Sequence, residues 1–115
     1  MGIETKDCLA SGELLGTKMV VNEFVAYLNL GSILENVSPN RISDRTEVIL
    51  TYALCGFSNF GAIGIQLGGI GPLAPERKSD LAQLGLRAML GGMLACCMTA
   101  CVAGMLYGVF DWFGQ

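Results

Sequence analysis

The run from Ala88 to Phe110 holds 23 residues without one Asp, Glu, Lys or Arg. This feature constrains the fold more than any other. About 20 consecutive apolar residues suffice for a helix to cross a bilayer, and a core helix of a soluble protein rarely stays charge-free for so long. The run is rich in Leu, Met and Ala and leads into Tyr107, Phe110, Trp112 and Phe113, as an interfacial aromatic belt would. Gly92, Cys96, Ala100, Gly104 and Gly108 recur at spacing four. They form a small-residue ridge on one face, against which a second helix can pack closely. The expected class is an all-α membrane protein, with 79–112 as its last transmembrane helix.

Composition agrees with that class. The 115 residues are 52% hydrophobic and 15% charged, against about 25% charged in soluble domains. The net charge is −3 and the seven basic residues are scattered, which argues against nucleic acid, since that partner needs a basic stripe. The five cysteines come with no His and no CxxC, so no metal site is expected. Cys96, Cys97 and Cys101 lie in the apolar run, where Cys behaves as a small hydrophobe. The odd count also argues against a disulfide framework. No acid–base or nucleophile constellation is present, and "GGIGPLAP" lacks the GK[ST] of a phosphate loop, so an enzyme is not expected. The opening "MGIETKDCLASG" has no basic region followed by an apolar core, and insertion is expected from internal segments.

A second charge-free stretch runs from Val48 to Pro75. It starts as the apolar "VILTYALCGF", passes "SNFGAIG", and continues as "IQLGGIGPLAP". Its six glycines from Gly56 to Gly71 do not suit a smooth helix, because an interior Gly costs about 0.5–1 kcal/mol relative to Ala. A helix over 46–72, broken near Ser58–Gly61, fits better. Broken helices at membrane depth occur where they line a cavity or are buried in protein, and they mark transporter binding sites. Two polar connectors flank it, "SPNRISDRTE" (38–47) and "APERKSDLAQLGLR" (74–87). Ser43 or Asp44 is placed to cap the helix after the first, and Ser79 or Asp80 the helix after the second. Arg77, Lys78 and Arg87 put 76–87 on the cytoplasmic side by the positive-inside rule, with Arg41 and Arg45 on the outer side.

Upstream, 5–16 and 22–33 are semi-apolar segments too short to span a bilayer, linked through Gly16, Thr17 and Lys18. Alone they fit a re-entrant hairpin or a soluble helix pair equally. The rest of the chain favours the hairpin, over 5–33. Within it, Glu23 is the only Asp, Glu, Lys or Arg between Lys18 and Glu35. A carboxylate in a membrane is costly and marks function. In a partly wet pocket it can accept two O–H groups from the vicinal diol of a sugar, bind a cation, or carry a proton. Asn59, at the expected break, offers a donor and an acceptor that suit the edge of a pyrimidine or purine. Phe57 and Phe60 flank it and can pack on a flat base. The bland alternatives stand beside these: Asn59 satisfying backbone groups at the break, the two Phe facing lipid or core, and Gln66 as a hydrogen-bonded link between helices.

Two stretches carry a family resemblance. "GTKMVVNEFVAYL" (16–28) resembles the signature of the concentrative nucleoside transporters, including the bacterial nucleoside permeases. "LTYALCGFSNFGAIGIQLGGIGPLAPERKSDLAQLGLRAMLGG" (50–92) resembles the part that follows it. The similarity covers nearly the whole chain. It implies a trimeric, cation-coupled importer of nucleosides, uridine-like or purine, with an elevator-like transport domain in the bacterial cytoplasmic membrane. It further implies that Glu23 binds ribose hydroxyls from a hairpin tip, and that Asn59 and Phe57 contact nucleoside from the broken helix. Asn22, beside Glu23 in its motif, joins this substrate-binding set. So does Ala62, which stands where the family has a Ser. The resemblance is to the C-terminal part only: second hairpin, broken helix and last helix. The first hairpin, expected to bring the Na+ or H+ site, and most of the trimer scaffold lie outside it. The chain is thus expected to be one portion of a transporter. The alternative is a small non-transporting membrane protein or assembly partner.

Overall fold

The computed structural model describes residues 1–35 and 41–113. Among them every regular element is helical. A 3-10 turn, Thr5–Asp7, leads into α1 (Cys8–Val20). A turn at 21–22 reverses the chain into α2 (Glu23–Glu35). Next come α3 (Asp44–Leu54) and α4 (Phe60–Ile70). Two 3-10 turns, Gly71–Leu73 and Pro75–Arg77, join α4 to α5 (Lys78–Phe113).

α1 and α2 form a helical hairpin whose turn comes later than the sequence suggests. Gly16, Thr17 and Lys18 are inside α1, and the reversal falls at Val21 and Asn22. Lys18 supports this placement by reaching across to α3, and Asn22 stops the helix by capping the next one. Leu14, Ala26, Leu30, Ile42, Leu50 and Leu54 form the buried cluster between this hairpin and α3.

α3 and α4 are the halves of a broken helix. The break spans 55–59, so it opens upstream of the expected Ser58–Gly61. Cys55 leaves α3 in an extended conformation, and Gly56 follows at φ +103°. That backbone region favours glycine. A methyl group at Gly56 would also lie 2.6 Å from the Cys96 Sγ. Ser43 caps α3, its side chain accepting from the Thr46 N–H. Ser79 and Asp80 cap nothing, because the Pro75 turn feeds directly into α5 and leaves them inside its first turn.

The 36 residues of α5 extend about 54 Å at the helical rise, close to the 59 Å long axis of the molecule. Both halves of the broken helix lie antiparallel along it. Added Cβ atoms at Gly104 and Gly85 would lie 2.8 Å from Ile49 and Ile63, and one at Gly92 would lie 3.3 Å from Ser58. The small-residue ridge is therefore the seat of α3 and the break, with Ala100 fully buried. Gly108 meets nothing within 4 Å. Among the described residues, Pro75–Phe110 is the one helical stretch long and apolar enough to cross a membrane, and Phe60–Leu73 is a shorter apolar one.

Candidate functional site

Two helix starts converge on a single hydrogen bond. At the hairpin tip, the Asn22 Oδ1 accepts from the Val25 N–H at 2.9 Å, which caps α2. Glu23 is the first residue of that helix, where the partial positive charge of the N-terminus favours a carboxylate. Across from it, Asn59 caps α4 from an extended backbone, its Oδ1 accepting from the Ala62 N–H at 2.8 Å. The Asn59 Nδ2 donates to the Glu23 Oε2 at 3.0 Å. Asn59 is 2% exposed, whereas Glu23 is half-buried. The amide is thus engaged at both ends. Capping of the break by Asn59, the bland alternative, is what the geometry shows, and the same side chain holds the carboxylate in place. The Glu23 carboxylate keeps acceptor capacity for an incoming donor.

The hairpin also grips the other side of the break. Lys18 is fully buried, and its Nζ donates to the Ala53 carbonyl at 2.9 Å and the Cys55 carbonyl at 3.2 Å. These carbonyls end α3 and lack partners within the helix. A cation at a helix C-terminus also complements its partial negative charge. The Tyr27 hydroxyl adds a bond to the Thr51 carbonyl at 2.6 Å. Sequence reasoning missed Lys18 by placing it in a linker. The signal was present, since it lies five positions before Glu23 at the head of the same apolar stretch.

Phe57 and Phe60 expose about half their surface, at 52% and 51%. Phe57, Asn59 and Ala62 share the wall of a cavity of about 310 Å³ between α4 and α5, with Ser58, Gln66 and Met89. Glu23 is not on that wall. The structure therefore joins Glu23 and Asn59 directly, sets Asn22 beside Glu23 as the cap of α2, and places Phe57 and Ala62 with Asn59 on the cavity wall. Gln66 is exposed and lines the same cavity. Among the described residues no cluster of three or more His, Cys, Asp or Glu could hold a metal. A half-buried carboxylate anchored by an amide can accept further hydrogen bonds from hydroxyl groups.

Comparison with known proteins gives this geometry a family. The family described as "Na+ dependent nucleoside transporter C-terminus" matches residues 1–104. The chain belongs to this family of membrane transporters. It is similar to solute carrier family 28 member 3 of Eptatretus stoutii, at 47% identity over 93% of this chain and 17% of the relative. Sodium/nucleoside cotransporter 1 of Rattus norvegicus is 44% identical over 93% of this chain and 18% of its own length. Among solved structures, CNTnw in an inward-facing substrate-bound state matches with a TM-score of 0.90 and 39% identity. That match covers 94% of this chain and 26% of CNTnw. In two outward-facing CNTnw structures a Glu or a Phe is replaced by Ala, at positions separated by the same interval as Glu23 and Phe57. The chain spans about a sixth to a quarter of the length of these proteins.

Proposed function

We propose that this chain is the C-terminal part of a cation-coupled nucleoside symporter and supplies one side of its substrate site. Glu23 accepts the ribose hydroxyls, Asn59 fixes that carboxylate and turns its remaining donor toward the ligand, and Phe57 packs against the nucleoside. Asn22 and Ala62 shape the two helix starts around them. The remaining contacts and the Na+ or H+ site come from the rest of the transporter, which assembles as a trimer and imports nucleosides across a bacterial cytoplasmic membrane.

The observation that carries this reading is the Asn59–Glu23 bond joining a hairpin tip to the start of a half-helix. Helix-start electrostatics account for a carboxylate on α2, but not for the cap amide of a second half-helix donating to it. The sodium/nucleoside cotransporter relative supports the substrate class and the coupling.

The test is uridine uptake by proteoliposomes containing the complete transporter with these residues. Glu23→Gln keeps an acceptor for Asn59 but removes the charge. Hydrogen bonds to a charged group contribute about 1.5–3 kcal/mol each, so losing two lowers affinity roughly a hundredfold or more. We expect uptake to be abolished with insertion intact. Unchanged uptake would remove Glu23 from the site.

A further inference from the structure

A buried ammonium is costly unless it is fully engaged. Lys18 is 0% exposed, yet no carboxylate is paired with it in any ion pair among the described residues. Its partners are two carbonyls at the broken end of α3, at 2.9 and 3.2 Å. In broken transporter helices, half-helix C-terminal carbonyls are a place where a free coupling cation is held. Here the chain brings its own cation to that place, from the helix whose turn delivers Glu23. The Lys18 bonds and the Asn59–Glu23 bond lie on either side of the same break, one at each half-helix.

We propose that Lys18 is a positioning residue: a tethered cation that occupies the α3 carbonyls in place of a free monovalent ion and sets Glu23 against Asn59. The hairpin is then fastened to both halves of the broken helix. The contribution of α3 and α4 to the site is preset without any dissociable cation at this break. In its affinity readout the inference rests on the nucleoside reading above. In its structural readout it does not.

The experiment uses the complete transporter with Lys18→Ala, which vacates the space of an n-propylammonium ion. Two quantities are read. One is amide hydrogen exchange across 53–62, which includes the Ala62 N–H capped by Asn59. The other is equilibrium uridine binding. We expect exchange in this segment to rise at least tenfold and uridine affinity to fall at least tenfold. Added n-propylammonium is expected to restore most of both, and the neutral 1-propanol neither. A merely space-filling side chain would be rescued by both additives or by neither. Lys18→Met retains the apolar stem and leaves no room for either additive, so if Lys18→Ala does not insert, its exchange and uridine affinity are read directly, both expected to change at least tenfold. Exchange equal to wild type in Lys18→Met, or rescue by 1-propanol as effective as rescue by n-propylammonium, overturns the proposal. If the wild type binds no uridine while exchange still responds to the ammonium, the nucleoside reading fails and the role of Lys18 stands.

Discussion

Asn59 has two tasks that substitution can separate. Asn59→Ala removes the α4 cap, which costs about 1 kcal/mol, and leaves Glu23 without its partner. Both the melting temperature and nucleoside affinity are expected to drop. Asn59→Asp keeps a capping acceptor but sets a second carboxylate about 3 Å from the first. The expected outcome is a melting temperature lowered at neutral pH by the buried like-charge pair and recovering toward acid pH as the pair takes up a proton, with a sharply weakened ligand affinity, checked by thermal unfolding and uridine binding on one preparation. Asp7 affords a separate prediction outside the membrane-spanning segment. Burial pushes its carboxyl up, but hydrogen bonds from the Ser43 N–H and from the Thr46 and Ser43 hydroxyls outweigh that and hold it below the ordinary carboxylate range. A depressed folded-state value stabilises above the unfolded pKa of about 3.9 and loses that contribution as pH falls through the folded value. Stability should therefore decline below about pH 4, and Asp7→Asn should flatten that acid limb while lowering the melting temperature at pH 7.

At the scale of elements, the pairing of α3 with α5 depends on side chains that are missing. A side chain at Gly104 meets Ile49 at 2.8 Å. Gly104→Leu is expected to destabilise by about 1–3 kcal/mol through overpacking, whereas Gly108→Leu, with open space around it, should change little in the same unfolding assay. This pairing was half legible in the sequence. The spacing of Gly92, Cys96, Ala100 and Gly104 marks a face that admits another helix, but spacing alone does not say which helix. The glycines of 56–71 announced a break, yet placed it late, because the positive φ falls on Gly56 and the cap on Asn59. The hairpin turn was misplaced for a related reason. Gly16 reads as punctuation, but nothing obliges it to end a helix when Lys18 continues α1 to reach the α3 carbonyls. Glu23 stood out because it is lonely in sequence. Its bond to Asn59 joins residues on different elements, and no periodicity reports such a contact.

On the scale of the whole molecule, many large apolar side chains stand exposed. Leu94, Met98, Val102, Met105 and Phe110 on α5 are exposed, as are Phe24 and Leu28 on the hairpin. Such an area needs lipid or further protein against it, in keeping with a chain that spans about a quarter of CNTnw. Expressed alone, it is expected to sediment with membranes and take up no uridine. Co-expressed with the family's N-terminal portion, it should support uptake, and vesicle uptake assays on the two strains check this. The straight course of α5 behind both half-helices has a mechanical meaning. A rod cracked at its middle would flex there, but this one is splinted along its length by an unbroken beam. The crack therefore does not serve as a joint. It exposes helix ends for chemistry while α5 holds the two halves in line.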